Sequence, residues 1–369
     1  MSCVEQGILA DKDISACVET GLLKINRPLD EDQIQPASLD LRLGDIAYRI
    51  RASFLPGPGR TVFDKLAKLK LHELSLKEGA VLETGCVYIV PLLESLALPD
   101  AISASCNPKS STGRLDILTR VIGDYAQEFD KIPSGYRGPL YLEICPHSFP
   151  ILVRQGSRLS QIRFQRGQNS LDAEALQRLH EEEGLVSDGL LNINGGGIGL
   201  SIDLIGDAQG LVGYRAKSHT GLIDVDKKAS AALLDFWEPL YQRECCELVL
   251  DPDEFYILVS RETVHVPPLY AAEMTPFDPL MGEFRVHYAG FFDPGFGHGA
   301  VGGAGSRAVL EVRSHDVPFI LEHGQMIGRL IYTPMLNQPT RLYGAARGSN
   351  YQAQGLKLSK HFYQAVETR

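Results

Sequence analysis

Hydrophobic and polar positions alternate along most of this chain, in short runs that end at glycine or proline. Ser38-Leu39-Asp40-Leu41-Arg42-Leu43-Gly44 alternates as a half-buried strand, which Ile46, Tyr48 and Ile50 continue. Residues 87–91, 96–99, 140–144, 150–153 and 159–164 keep the same rhythm. Helical spacing is confined to a few places. Residues 11–23 set Ile14, Cys17, Val18, Leu22 and Leu23 on one side, with Asp11 or Asp13 as cap. Residues 172–183 carry a stripe of Ala175, Leu176 and Leu179, and one more helix is expected near 230–243. The glycine-rich stretch 192–199 is expected to be irregular. The pattern predicts a mainly β protein of barrel or jelly-roll type with a few short helices.

The second half repeats the first. Tyr88-Ile89-Val90 meets Tyr256-Ile257-Leu258, Glu94 meets Glu262, Leu142-Glu143 meets Leu310-Glu311, Pro150 meets Pro318 and Gly156 meets Gly324, all at an offset of 168. A constant offset over some seventy residues marks duplication. Ser38-Leu39-Asp40-Leu41 also resembles Ser201-Ile202-Asp203-Leu204, at an offset of 163. Two tandem β domains are therefore expected: 1–168 with the anion-holding turn described below, a helical linker over 169–189, and 190–369 ending in a tail.

Charge narrows the partners. The chain has 36 Lys+Arg against 46 Asp+Glu, a net −10, which argues against a duplex nucleic-acid binder needing a basic face. Its seven cysteines are scattered and form no C-x-x-C, so a reduced cytoplasmic compartment is expected. No signal peptide and no apolar run long enough to span a membrane is read in the 369 residues.

Candidate chemistry gathers at Asn107-Pro108-Lys109-Ser110-Ser111-Thr112-Gly113-Arg114-Leu115. Arg114 offers a planar fork to phosphate oxygens, Lys109 a point charge, and the hydroxyls and backbone N–H groups complete an anion-holding turn. It is not a P-loop, because the Gly-x4-Gly-Lys-Ser/Thr order is absent and no helix pattern follows. The plain alternative is a Ser/Thr-rich turn capped by an arginine. The turn has no counterpart 168 residues later, where residues 277–282, from Phe277 to Gly282, carry neither hydroxyls nor an arginine. Conversely, His287-Tyr288-Ala289-Gly290-Phe291-Phe292-Asp293-Pro294-Gly295-Phe296 is compact, whereas its first-half equivalent, 121–136, is longer. The glycine-rich 295–305 reads as a mobile loop beside Phe291, Phe292 and Phe296.

In these motifs the chain resembles the dCTP deaminases of the dUTPase-like β-barrel superfamily, in their long, duplicated form. The first half matches through Ala37–Gly44, the turn, Gly135-Tyr136-Arg137-Gly138 and Leu142-Glu143; the second through Ala289, Asp293-Pro294-Gly295, Val309-Leu310-Glu311, Gly324–Gly328 and a tail with Tyr343, Asn350 and Gln354. The resemblance implies deamination of dCTP to dUTP and ammonia, with dTTP as an effector and a homo-oligomeric assembly. It implies that Ser110, Ser111 and Arg114, with Lys109, Thr112 and Gly113 around them, hold phosphate and orient water. Asp293 would hold the deoxyribose 3′-OH, Tyr343 and Gln354 the phosphates, and Glu311 or Glu143 would be the general acid/base. Lys109 and Asn350 stand where the family has arginine and lysine, which implies a larger role for Mg²⁺ on the triphosphate. Two further readings stand beside this one: a dUTP diphosphatase or bifunctional enzyme, and a non-catalytic nucleotide-binding module.

The residues themselves suit the reaction. Adding water at C4 of cytosine and expelling ammonia needs a carboxylate that moves a proton, and an apolar strand raises its basicity. The zinc route requires H-x-E and P-C-x-x-C, and neither occurs, so a zinc-free step is expected. Because each half keeps what the other lost, Ser110, Ser111 and Arg114 are expected to work with Asp293 and Glu311, within one chain or across a dimer. The competing arrangement keeps Glu143 in service, with Asp124 or Asp130 as the sugar ligand.

Overall fold

The computed structural model describes residues 6–167, 170–187, 191–276, 284–286, 290–314, 316–344 and 355–364. The chain divides into two compact units, one formed by Met1–Gln168 with Gly221–Ser230 and Met335–Thr340, the other by Asn169–Thr220, Ala231–Pro334 and Arg341–Arg369. The sequence-based spans 1–168, 169–189 and 190–369 are continuous, whereas each unit draws on separated segments. The expected separate linker does not hold: the helix Ala173–Glu183 (capped by Asp172, which accepts from the Ala175 N–H) buries Leu176 and Leu179 in the core of the second unit. An amphipathic helix gains its stability from such packing rather than from bridging solvent.

In the first unit one sheet runs, in spatial order, Lys131–Ile132, Ile102–Pro108, Arg158–Arg166, Ser38–Arg42, Ile34–Gln35. The other runs Ile117–Gly123, Arg137–Pro146, Val87–Ala97, Ile46–Ile50, Lys70–Ser75. Their pairings along these orders are antiparallel. Alternating Leu39, Leu41 and Leu43 are fully buried, as are Ile89, Leu142 and Ile144 on the second sheet. The helix expected over 11–23 is shorter, Asp11–Glu19, because Leu23–Ile25 leaves it to pair with Val87–Ala97. A helix not foreseen, Val62–Leu69, has Thr61 as N-cap and buries Val62 and Leu66.

The second unit repeats these registers. Ser160 opposes Pro108 and Gly328 opposes Pro276; Glu143 opposes Ile89 and Glu311 opposes Ile257; Ile151 opposes Leu82 and Phe319 opposes Leu250. A buried glutamate makes the same bond in each copy. Glu94 Oε2 accepts from the Arg42 N–H at 2.9 Å, and Glu262 Oε2 from the Ser201 N–H at 2.8 Å. This corrects the early-strand match. Arg42 opposes Arg158 and Ser201 opposes Met326, so Arg42, not Ser38, is the equivalent of Ser201, and Asp40 corresponds to Gly199. The stretch expected to be irregular is a tight hairpin, Ile193–Asn194 against Gly197–Ser201. Gly195 and Gly196 take the two positive-φ turn positions, at 56° and 76°. The helix expected over 230–243 shrinks to Leu233–Phe236, because Trp237–Tyr241 continues as an edge strand. Among the described residues no helix is long and apolar enough to cross a membrane.

Candidate active site

The turn expected to hold an anion starts where the strand Ile102–Pro108 ends. Lys109 is the N-cap of a single helical turn, Ser110–Gly113, and its carbonyl accepts from the Thr112 and Gly113 N–H groups. The expected short turn is thus a single turn of helix. Asp116 closes it in a left-handed conformation, φ 56°, and its carboxylate accepts from Ser148 Oγ at 2.6 Å. Ser111, Thr112, Gly113 and Arg114 are buried and Ser110 is partly exposed. The Lys109 ammonium is not a loose surface charge. It is paired with Asp40, a carboxylate only 1% exposed, whose same oxygen lies 3.4 Å from Arg158 Nη1. Arg158 in turn grips Asp32 at 2.8 Å, which holds the Asp32 carboxyl below its usual range.

Glu143 lies in the middle of Arg137–Pro146 and is 1% exposed. Arg120, directly opposite on Ile117–Gly123, places Nε 2.8 Å from Oε1 and donates to the same oxygen through Nη2. Oε2 has no hydrogen-bond partner among the described residues. The arginine is fixed from behind by Ser53 Oγ at 2.9 Å and by the Phe129 ring, 3.7 Å below its guanidinium carbon. Ile89, Ile122 and Tyr141 on this sheet pack with Phe54, Val62 and Leu66 into a local apolar cluster. Asp124 and Asp130 are both tied into this loop region. Asp124 accepts from the Val62 N–H and Asp130 from the Val121 N–H, each at 2.8 Å. Burial pushes the Asp130 carboxyl up to about 7; Arg120 draws it down and Glu143 adds to the rise.

In the second unit Glu311 is buried in Ser306–Ser314 beside Val309 and Leu310, and Leu310 points into the core. His287 and Gln354 lie outside the described residues. Asp293 is buried at the head of a tight turn. The Gly295 N–H donates to the Val266 carbonyl at 2.9 Å, and the Phe296 N–H to the Asp293 carbonyl at 3.1 Å. Tyr343 joins this turn: its N–H donates to the Pro294 carbonyl at 2.8 Å, and its ring lies 5.7 Å from that of Phe296. Gly295 has φ 97°, and a Cβ there would sit 2.9 Å from Leu342 Cβ and 3.0 Å from the Tyr343 carbonyl oxygen. The loop that follows, expected to be mobile, is folded on itself. The Gly303 N–H donates to the His298 carbonyl and the Gly305 N–H to Gly297, while His298 Nε2 meets Glu183 at 3.2 Å.

Each unit therefore gathers part of the expected set. Arg120 and Arg158 were not foreseen. Their partners are near only across strands, and strand register is not written in the local sequence. Among the described residues, no group of three or more His, Cys, Asp and Glu is placed to hold a metal ion.

Two copies of one antiparallel β fold, each with a buried strand glutamate, one bearing the single helical turn Ser110–Gly113 and the other the Asp293-Pro294-Gly295 turn, define a tandem-repeat β protein. The chain belongs to the 2′-deoxycytidine 5′-triphosphate deaminase family: the family's N-terminal domain matches residues 5–168 and its C-terminal domain residues 171–362. It is similar to the crystal structure of a 2′-deoxycytidine 5′-triphosphate deaminase from Agrobacterium tumefaciens, with a TM-score of 0.86 and 68% identity over 90% of this chain and 99% of that one. It is 32% identical over 160 residues to a "dCTP deaminase, dUMP-forming" from a Sulfurihydrogenibium species, covering 42% of this chain and 82% of the relative. A dCTP deaminase from Haloarcula marismortui is also 32% identical, over 162 residues, 42% of this chain and 79% of the relative. Such relatives span about one copy of the repeat.

Proposed function

We propose that this chain hydrolyses the C4 amino group of dCTP, giving dUTP and ammonia in the supply of deoxyuridine nucleotides. The observation that carries the reading is the full-length, 68%-identical likeness to a dCTP deaminase. The first unit's turn holds the triphosphate through Ser110, Ser111, Arg114 and Lys109. Asp293 holds the sugar and Glu311 moves the proton. Water adds to C4 while Glu311 takes its proton and delivers it to the ring nitrogen. Glu311 then carries the C4 hydroxyl proton to the amino group, the C4–N bond breaks as the C4 carbonyl forms, and ammonia leaves. Glu311 is assigned over Glu143 because it follows the compact Asp293-Pro294-Gly295 motif in the second half, the half that also carries Tyr343 and Gln354. Mg²⁺ arrives as part of the substrate, on the triphosphate, and Lys109, with one point charge in place of a fork, leaves it more to neutralise. The chemical step uses no zinc, in keeping with the missing H-x-E and P-C-x-x-C pattern. A homo-oligomer in the cytoplasm, with dTTP as effector, completes this reading.

The name of the Sulfurihydrogenibium relative favours a second reading, in which dUTP is cut further to dUMP. Incubation with dCTP and Mg²⁺, with ammonia measured and dUTP, dUMP and pyrophosphate separated, tests both. Ammonia matched by dUTP is expected. Ammonia matched by dUMP and pyrophosphate gives the second reading, and absence of ammonia overturns both.

A further inference from the structure

Of the Lys109–Asp40–Arg158 network only Lys109 has a place in the chemistry above, and the internal duplication supplies a control for Asp40 and Arg158. Asp40 is almost wholly buried; one of its oxygens meets both Lys109 and Arg158, while Oδ1 has no hydrogen-bond partner among the described residues. A buried carboxylate is costly unless opposite charge is held against it. If that arrangement served only to fold the β unit, the second copy would need it as well. The shared registers set Asp40 against Gly199 and Arg158 against Met326, and the 168-residue sequence offset sets Lys109 against Phe277. All three second-copy positions are uncharged, and the second copy forms the same paired strands without them. The network therefore accompanies the anion-holding turn and not the fold.

We propose that Asp40, backed by Arg158, is a positioning residue that seats the Lys109 ammonium as a preset cation for the phosphates of the nucleotide. The inference rests on the reading that 109–114 holds the triphosphate. Lys109 is also the N-cap of the turn, its carbonyl bonded to the Thr112 and Gly113 N–H groups, so fixing its side chain fixes the entry to the turn that presents Ser110 and Ser111. Arg158, itself anchored to Asp32 at 2.8 Å, keeps Asp40 balanced when Lys109 shares its charge with phosphate.

The test is a double-mutant cycle on the full chain, with inorganic tripolyphosphate binding read by calorimetry and dCTP turnover read in parallel. Asp40→Asn should raise both the tripolyphosphate Kd and the dCTP KM by about tenfold, the scale of one charge-assisted hydrogen bond, with kcat held within about twofold. Asp40→Asn combined with Lys109→Met should bind no more weakly than Lys109→Met alone. Arg158→Met, which installs the second copy's residue at a partly exposed site, should give a smaller loss of the same sign, and it keeps the test open if Asp40→Asn folds poorly. Wild-type or tighter tripolyphosphate binding in Asp40→Asn, or additive losses in the double variant, would overturn the proposal. If the wild type releases no ammonia from dCTP while tripolyphosphate binding still depends on Asp40, the deaminase reading fails and this one stands.

Discussion

Replacing Arg120 by methionine isolates the glutamate that we assign no chemistry. Arg120 makes both hydrogen bonds to Glu143, on Oε1, and the carboxylate is 1% exposed. Deleting one partner of a buried ion pair costs about 3–5 kcal/mol, because the other charge is left uncompensated. Arg120 is itself 28% exposed, so solvent screens part of the loss and the low end of that range, about 3 kcal/mol, applies. Loss of the guanidinium over Phe129 adds roughly 0.5–1 kcal/mol. At about 2–4 °C per kcal/mol for a unit of this size, the first unit should melt roughly 7–16 °C lower. Scanning calorimetry would read the shift. Glu143→Gln on top of Arg120→Met should recover much of it, since the stranded charge is then gone. The folded Arg120→Met protein should keep kcat on dCTP within about twofold, because in this account the pair holds structure rather than moving protons. A variant as stable as wild type would refute the energetic argument. A folded variant that loses kcat a hundredfold would refute the assignment of Glu143.

Three further outcomes are expected. Gly295→Ala forces a side chain into φ 97° and against Leu342 and Tyr343, at a cost of about 1–3 kcal/mol; it should lower the melting temperature and raise the dCTP KM, and unchanged values would show that the turn tolerates a Cβ. Asp130→Asn concerns a carboxyl that burial pushes up to about 7. A folded pKa raised above the unfolded value means the native state binds the extra proton, so wild-type stability falls as pH rises from about 4 to 7. The variant should lose that slope and gain most on wild type above pH 7, and parallel stability curves would contradict the assignment. Deamination should survive exhaustive zinc chelation once Mg²⁺ is restored, and stoichiometric zinc whose removal abolishes turnover would count against the proposed chemistry.

Much of the fold is legible in the sequence because short alternating runs such as Ser38–Arg42 mark the strands and the 168-residue offset marks the duplication, although Ser38–Arg42, expected to be half-buried, is buried on both faces, Asp40 and Arg42 included. What misled was local. Ser201-Ile202-Asp203-Leu204 looks like Ser38–Leu41, yet the strand registers align it four residues later, since similarity over four residues carries less than a ladder of cross-strand pairs. Gly195-Gly196 reads as irregular by composition but is the residue pair a two-residue hairpin demands. Residues 237–241 suggested a helix, and pairing with Leu211–Ala216 overrode that. At the site, the turn and the Asp293 motif are contiguous in sequence and could be read there. The grip of Arg120 on Glu143 joins residues 23 apart in sequence and is visible only once the strands are paired.

The central claim is that Glu311 moves the proton and Glu143 does not. Glu311→Gln and Glu143→Gln, purified separately and assayed for ammonia release from dCTP at saturating Mg²⁺, test it most directly. The account predicts that kcat falls by about a hundredfold or more in Glu311→Gln, the scale of general acid–base catalysis, and stays near wild type in Glu143→Gln. Full activity in Glu311→Gln with none in Glu143→Gln would contradict it.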